Sequence, residues 1–261
     1  MTDSNKNEIN FKQILRNNLL TTVVKLIYWF KLPIQLSEKT KWKAGTKTEL
    51  SFWDSWLKTK DGSSHDDFIH RLDSSSNLQA ELCELLPIET NVHILDVGAG
   101  PLTLLGKTCR GKNLTITAVD TLANEYNKLL EKYKISPLVR TLKMDAEHLS
   151  ENFKNNTFDL VCAINAIDHV YDPEEAIVQM LNVVKNGSYV FLRHTANEAK
   201  QQNYTGLHQW NFSRSKDGDF IISSKTKKIN MTSKYSDLCE ISCEKINLMG
   251  KEKIVTIIRK R

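Results

Sequence analysis

The segment from His93 to Leu102 constrains the fold of this 261-residue chain more than any other. It begins as an apolar strand pattern and continues as Asp96-Val97-Gly98-Ala99-Gly100-Pro101, with two glycines one residue apart. Because glycine tolerates positive φ and has no Cβ, the chain can turn tightly and a ligand can lie against bare backbone amides. Proline suits the first turn of a helix. A strand, a glycine turn and a helix start predict a nucleotide-type pocket at the strand's carboxyl end.

The spacing of the glycines argues against a dinucleotide ligand. The fingerprint G-x-G-x-x-G needs a third glycine at position 103, where this chain has Thr103. The sequence also lacks the G-x-x-x-x-G-K-[ST] loop that binds a triphosphate. The pattern therefore disfavours NAD or FAD and a pyrophosphate packed on the helix start.

A second apolar run, Leu114–Asp120, is typical of a strand that ends in an acid. Asp120 lies 24 residues beyond Asp96, near the spacing at which an acid meets ribose hydroxyl groups. A carboxylate offers only acceptors, so it can take both ribose O–H groups at once. The two strands therefore predict a ligand that contains a ribose.

The D-x-G-x-G loop and the strands after it resemble class I S-adenosylmethionine (SAM) methyltransferases of the methyltransferase type 11-like group. The later strands are Val139–Met144, Thr157–Asn165 and Gly187–His194, and the resemblance covers about residues 85–195. It implies an α/β, Rossmann-like fold with a mostly parallel seven-stranded sheet and helices on both faces. It also implies SAM as cofactor and S-adenosylhomocysteine as product. The candidate cofactor-binding residues are Asp96, Gly98, Ala99, Gly100, Asp120, Leu122, Asp145, Ala146 and Asn165.

The chain divides into a helical N-terminal extension, residues 1–85, and a SAM-binding domain, residues 86–261, with a substrate insert at about 195–235. In proteins of the resembled family such an extension commonly covers the active site. In the extension we predict helices over 11–31, Glu49–Leu57, Asp66–Leu72 and Leu78–Leu86, and a polar loop over 34–48. In the domain we predict helices over Leu102–Cys109, Ala123–Tyr133 and Pro173–Val184, and late strands over Asp219–Ser223, Cys239–Leu248 and Lys253–Arg259.

Composition favours a cytoplasmic globular protein, and the resemblance described below implies a small-molecule or sugar-linked acceptor. The net charge is only +5 and the basic residues are scattered, so we expect no nucleic-acid partner. Five irregularly spaced cysteines favour reduced thiols, and no signal peptide is evident. The apolar part of 11–31 is too short to span a membrane. It could lie on a membrane surface, but we favour packing on the domain or on a second copy in a homodimer.

Histidines that follow two predicted strands are the candidates for catalysis. Methyl transfer needs the acceptor at attack distance and its proton removed, and histidine suits that near neutral pH. His169 follows the fourth strand and is the first candidate base, and His194 ends the fifth strand and is the second. The alternatives are a capping or packing role for His169 and a buried polar network around the segment after His194. Further candidates for the acceptor site are Trp53, Trp56, Asp168, Glu198, Tyr204, His208 and Trp210.

We predict no metal ion, because histidines disfavour Mg²⁺ and no ligand spacing indicates zinc. The segments Asn165–His169, Asn197–Ala199 and Gly206–Asn211 resemble bacterial methyltransferases of surface-polysaccharide biosynthesis. That resemblance implies O-methylation of a capsule or sugar-linked acceptor, including O-methyl phosphoramidate groups. Two alternatives stay open: an RNA methyltransferase, and a non-catalytic SAM-fold subunit that binds a partner.

Overall fold

The computed structural model describes residue 22 and residues 38–60 and 65–261. The helices are α1 (Glu38–Thr59), α2 (His65–Leu72), α3 (Ala80–Cys83), α4 (Ala123–Lys132), α5 (Pro173–Val183), α6 (Glu198–Gln201) and α7 (Met231–Lys234). The strands are β1 (Asn91–Val97), β2 (Asn113–Asp120), β3 (Leu142–Lys143), β4 (Phe158–Ile164), β5 (Val184–Thr195), β6 (Asn211–Arg214), β7 (Phe220–Ser223), β8 (Lys228–Asn230), β9 (Cys239–Leu248) and β10 (Lys251–Lys260). Two 3₁₀ turns cover Ala146–Glu151 and Ile167–His169.

Seven strands form one twisted sheet in the order β3-β2-β1-β4-β5-β10-β9. The first five strands are parallel, whereas β10 pairs antiparallel with β5 and β9 pairs antiparallel with β10. The chain order reverses between β1 and β4, and ligands of open α/β sheets collect at the carboxyl ends of strands at such a point. The predicted Rossmann-like class I methyltransferase fold is thus confirmed, including the antiparallel edge pair.

Apolar residues cover both faces of the sheet. On one face α5 packs on β4 and β5 through Ile177 and Met180, and the small antiparallel sheet β6-β7-β8 joins the same cluster through Phe212 and Phe220. On the other face Leu82 of α3 packs against Ile94 and its neighbours. The predicted helix after β4 is confirmed, and its predicted cap Asp172 accepts a hydrogen bond from the backbone N–H of Glu175 across 3.2 Å.

The predicted helix over Leu102–Cys109 is wrong, because this segment is irregular. Its backbone carbonyls, which a helix would use internally, bind groups from the N-terminal extension instead. Arg71 Nη1 donates to the Leu102 oxygen across 2.7 Å, and Gln79 Nε2 donates to the Leu104 oxygen across 2.9 Å. Residues of the extension therefore bind the segment for which the sequence pattern predicts a helix.

The predicted loop over 34–48 is also wrong from residue 38 onward, because α1 runs through it to Thr59. A Cβ built on Gly45 would lie 2.7 Å from Cδ2 of Leu207, so a glycine is needed where the helix meets that distant loop. The contact is tertiary and leaves no local signal. The predicted helix over Leu78–Leu86 is shortened to α3, and the predicted third strand is shortened to β3.

The predicted helix over 11–31 lies outside the described residues apart from position 22. Within the part of the chain that the structure describes, no helix is long and apolar enough to cross a membrane. All five cysteines are free thiols.

Candidate cofactor and acceptor site

A cavity of about 600 Å³ opens at the carboxyl ends of β1, β2 and β4, under α1. This volume is within the range of small-molecule sites. All nine candidate cofactor residues line the cavity, as do Trp53, His169, Glu198 and His208. The other predicted site residues are absent from its lining: Trp56, Asp168, His194, Tyr204 and Trp210.

The glycine turn after β1 bends over the end of β2. The backbone N–H groups of Gly98 and Ala99 donate to the Val119 oxygen across 2.8 and 3.1 Å. Gly98 has a φ of +73°, and a Cβ there would lie 2.3 Å from the Cβ of Ala166. The turn is therefore packed directly against the residue that follows β4 and Asn165, which closes the floor of the cavity.

Two aspartates flank this turn, of which Asp96 is buried and Asp120 is partly buried. Asp120 accepts hydrogen bonds from the backbone N–H groups of Leu122, across 2.9 Å, and Gly100, across 3.1 Å. Asp96 accepts one from Thr103 Oγ1 across 2.5 Å, so the residue in place of a third glycine holds the first acid of the motif. Burial raises the pKa of each carboxyl group to about 6. Both are still mostly ionised at neutral pH.

The charge of the cavity fits SAM, which carries a sulfonium and an ammonium group against one carboxylate. Six carboxyl groups line the cavity and only Arg71 and Lys251 oppose them. A cavity with an excess of one sign of charge concentrates ligands of the opposite sign. Asp120 can hold the ribose hydroxyls, and Asp145, whose Oδ1 accepts from Thr121 Oγ1 across 2.5 Å, can face the adenine amino group. The residues present fit this cofactor.

Four ionisable side chains meet at the other end of the cavity, and we call them the acceptor cluster: Asp168, His169, Glu198 and His208. Asp168 and His169 lie in the 3₁₀ turn after β4, Glu198 begins α6 after β5, and His208 lies in the loop before β6. One ligand-type atom from each lies within 4.8 Å of the others. His169 Nε2 is 3.0 Å from His208 Nδ1 and 3.5 Å from Asp168 Oδ2. The fold thus assembles residues that are 40 positions apart in the sequence.

Electrostatics within the acceptor cluster favour a negative Asp168 beside a protonatable His169. Burial is the largest effect on His169 and would lower its pKa, but the carboxyl groups of Asp168, Glu49, Glu198 and Asp120 together raise that pKa. Burial is also the largest effect on Asp168 and would raise its pKa, but His169, His194, His208 and a hydrogen bond with Glu198 together lower that pKa. Burial raises the pKa of Glu198, and the neighbouring Asp168 raises it further.

His194 lies behind the acceptor cluster and is 0% exposed. Its Nε2 accepts a hydrogen bond from the backbone N–H of Ile167 across 3.0 Å. Burial lowers its pKa to about 4, so the ring is neutral at neutral pH. With this nitrogen occupied and the ring outside the cavity lining, His194 is placed to position the turn rather than to meet a substrate.

Three aromatic candidates for the acceptor site also lie outside the cavity lining. Trp56 is buried among Leu57, Phe68 and other residues of α1, α2 and α4. Trp210 is buried in the main core, and Tyr204 accepts a hydrogen bond from Asn211 Nδ2 across 3.2 Å. By contrast Trp53 does line the cavity, and its ring meets the glycine turn.

Sequence reasoning missed several lining residues, among them Trp42, Glu49 and Tyr126. Glu49 Oε1 accepts a hydrogen bond from Trp53 Nε1 across 2.7 Å, which sets the tryptophan over the cavity. No motif marks these positions. For the tryptophans, the aromatic content of the extension was a signal, but it does not indicate which rings face the cavity.

Comparison with known proteins agrees with this geometry. Residues 95–192 match the family model described as "Methyltransferase domain". No curated protein matches the chain. Among solved structures it is similar to a chain from the complex of the Haloferax volcanii Trm112 methyltransferase activator with a methyltransferase, at 13% identity over 79% of this chain and 96% of that one, with a TM-score of 0.48.

Two further solved structures are SAM-dependent methyltransferases. The one from Aquifex aeolicus is 13% identical over 78% of this chain and 97% of that chain, with a TM-score of 0.46. The one from Methanosarcina mazei is 16% identical over 70% of this chain and 99% of that chain, with a TM-score of 0.43.

The sheet order, the glycine turn and the matched family model define residues 95–192 as a methyltransferase domain of class I. Its cofactor is SAM, whose net positive charge the acidic lining of the cavity fits. SAM-dependent methyl transfer is the general class of activity that this domain supports.

Proposed function

We propose that this chain transfers a methyl group from SAM to an oxygen atom of a small polar or sugar-linked acceptor. The observation that carries the proposal is the acceptor cluster: His169, Glu198 and His208 line the same cavity as the nine cofactor residues, and Asp168 is buried beside them. SAM supplies an electrophilic methyl group on a good leaving group. The chain must then orient a weak hydroxyl nucleophile and accept its proton.

The acceptor cluster has the chemistry for both tasks. The carboxyl group of Glu198 lines the cavity and can accept a hydrogen bond from an acceptor hydroxyl group. His169 lines the cavity and is the candidate proton acceptor, with Asp168 beside it to stabilise the imidazolium. His194, the second candidate base, serves in this proposal as a positioning residue for the turn that carries both side chains.

The acidic cavity favours a small acceptor over RNA. Nucleic-acid binding depends on neutralising phosphates with lysine and arginine, and the carboxyl groups that line this cavity outnumber its two cations. A sugar hydroxyl carries no such charge. The assignment to capsule or surface-polysaccharide assembly in the cytoplasm, with phosphoramidate groups as one acceptor class, is supported by the resemblance of the three segments around Asn165, Asn197 and Gly206.

Turnover tests this proposal directly. The purified chain is incubated with SAM and a panel of nucleotide-activated sugars, capsule fragments and transfer RNA, and formation of S-adenosylhomocysteine is measured. We expect turnover with a sugar-linked acceptor and none with RNA. Turnover with RNA alone, weakening steeply as salt is added, would establish the RNA alternative.

Calorimetry with SAM and S-adenosylhomocysteine tests the remaining alternative, a non-catalytic subunit that binds a partner. We expect both to bind with release of heat in a one-to-one ratio. A chain that binds neither would act as a non-catalytic partner-binding subunit, whatever its fold.

A further inference from the structure

We infer that Asp168, His169, Glu198 and His208 form a binding site for a divalent transition-metal ion at the acceptor end of the cavity. The inference goes beyond the proposed function, and it rests on that function only in placing the acceptor beside the acceptor cluster. Sequence analysis predicted no metal, because the four residues span 40 positions without a ligand spacing. The fold brings one ligand-type atom from each to within 4.8 Å of the others.

Two of the distances between these atoms match the edges of a coordination shell. Ligands about 2.1 Å from a metal ion lie roughly 3.0 to 3.4 Å apart in octahedral or tetrahedral geometry. His169 Nε2 and His208 Nδ1 are 3.0 Å apart, and His169 Nε2 and Asp168 Oδ2 are 3.5 Å apart. All four ligand atoms lie within 4.8 Å of one another, so the remaining side chains must draw closer to share one ion.

The buried carboxylate of Asp168 is an independent sign of a missing partner. The side chain is 1% exposed, and no backbone N–H, hydroxyl of Ser, Thr or Tyr, or amide group of the described residues donates to either of its oxygens. Its polar neighbours are the imidazoles of His169 at 3.5 Å and His194 at 3.7 Å and the carboxyl group of Glu198. Two carboxyl groups side by side in a buried place are expensive unless they are paired with cations or bind a metal.

The surroundings of the acceptor cluster hold its ligands as a metal site requires. The residues around ligands commonly fix their orientation and are nearly as important as the ligands. His194 fixes the turn of Asp168 and His169 through the Ile167 N–H, and Gly45 of α1 packs against Leu207, next to His208. A buried contact thus holds the turn of Asp168 and His169, and another holds the loop of His208.

The donor set indicates the class of ion. Two imidazole nitrogens and two carboxylate oxygens suit manganese, iron, cobalt or zinc, whereas Mg²⁺ and Ca²⁺ prefer oxygen alone. Four protein ligands leave open positions in a six-coordinate shell for an acceptor oxygen. Binding to a cation lowers the pKa of a hydroxyl group, so His169 would then act as a ligand and not as the base.

Metal binding is measured on the full chain carrying a tag without histidine, after treatment with a chelator. Calorimetry with MnCl₂, ZnCl₂ and CoCl₂ is expected to show one ion per chain for at least one of them, and Co²⁺ should give a visible absorption band from nitrogen and oxygen ligands. Absence of binding by all three ions would overturn the inference.

Two variants and a matched control locate the site. Asp168→Asn and His208→Gln should each weaken binding of the ion at least 10-fold, with SAM affinity unchanged as the check that the chain is folded. His148→Gln is the control, because His148 also faces a carboxylate, Glu151 at 3.0 Å, but in a surface pair without further ligands. Equal binding by all four proteins would place the ion elsewhere and contradict the inference.

The outcomes for the two proposals are separable. If the chelated chain turns over fully with a sugar-linked acceptor, the metal inference fails and the proposed function stands with His169 as base. If one ion binds at the acceptor cluster but no acceptor is methylated on oxygen, the metal site stands and the proposed function fails.

Discussion

The backbone N–H of Ile167 donates a hydrogen bond to Nε2 of His194 across 3.0 Å inside the protein. This bond joins the turn after β4 to β5, which carries His194. The next two residues of the turn are Asp168 and His169, so the bond also holds these members of the acceptor cluster. A buried, neutral imidazole is thus used as a hydrogen-bond acceptor for the backbone. The relationship separates the roles of His169 and His194, which the sequence presented as the first and second candidate bases.

His194→Ala should remove this anchor. It leaves the Ile167 N–H unpaired and opens a space, so the free energy of unfolding should fall by about 2 to 4 kcal/mol. Turnover should fall with it, whereas His194→Gln, which can still accept from the backbone, should recover part of both. Denaturant unfolding and acceptor turnover measure the two effects. Full loss of turnover in His194→Gln at unchanged stability would instead favour a direct catalytic role.

His169→Gln should lower kcat by at least about 100-fold with little effect on the affinity for SAM. The side chain lines the acceptor end of the cavity, away from the aspartates that flank the glycine turn. Turnover with the acceptor measures the change in kcat, and calorimetry measures the affinity for SAM. His70→Ala, on α2 and outside the cavity lining, is the control and should behave as the unaltered chain. An active His169→Gln chain would remove this residue from the chemistry.

Asp120→Asn should weaken SAM binding by about 10- to 100-fold, because hydrogen bonds to a charged acceptor are worth about 1.5 to 3 kcal/mol. The amide also loses one acceptor for the N–H groups of Gly100 and Leu122. Calorimetry measures the change, with the exposed Asp217→Asn as the matched control. Unchanged affinity would show that the ribose lies elsewhere.

Gly100→Ala should destabilise the chain and block the cavity. The residue has a φ of +65°, and a Cβ would lie 2.9 Å from Cζ2 of Trp53. The left-handed conformation alone costs about 1 to 2 kcal/mol for alanine. Adding Trp53→Leu should remove the contact but keep the conformational cost. The free energy of unfolding of the double variant should therefore lie between those of Gly100→Ala and the unaltered chain. No recovery would mean that backbone strain alone sets the effect.

The contribution of Glu147 to stability should fall as pH rises through the weakly acidic range, whereas the contribution of His194, whose pKa burial lowers to about 4, rises with pH. Burial raises the pKa of Glu147 in the folded chain to about 7 from the usual 4.5, so the folded state binds more protons than the unfolded state between these values. The stabilisation is complete below about pH 4.5 and is lost by about pH 7. Asp96 and Asp120 act in the same direction.

Glu147→Gln isolates the contribution of this carboxyl group. The amide oxygen can still accept from the backbone N–H groups of Tyr171 and Asp172. In denaturant unfolding at about pH 5 and about pH 8, the free energy of unfolding at pH 8 relative to that at pH 5 should be higher in this variant than in the unaltered chain. An equal difference would assign the pH dependence to other groups.

The strands and the cofactor end of the site were readable in the sequence. Apolar runs ending in Asp96 and Asp120, with a glycine turn between the strands, encode local geometry that needs no distant partner. Every candidate cofactor residue lines the cavity for this reason. The helix predicted after the glycine turn failed because Arg71 and Gln79, far away in the chain, bind the carbonyls that the helix needed.

By itself the sequence determined a parallel sheet, a glycine turn with a ribose-binding acid, and the strand ends where polar side chains gather, and its resemblance to SAM methyltransferases implied the adenosyl ligand. Strand periodicity and glycine turns are properties of neighbouring residues, so they survive without knowledge of the fold. Only the tertiary structure decided that His194 is buried behind its neighbours, that Trp53 covers the glycine turn, and that His169 and His208 meet within 3.0 Å. Those relationships join segments distant in the chain, and only packing of the whole domain fixes such distances.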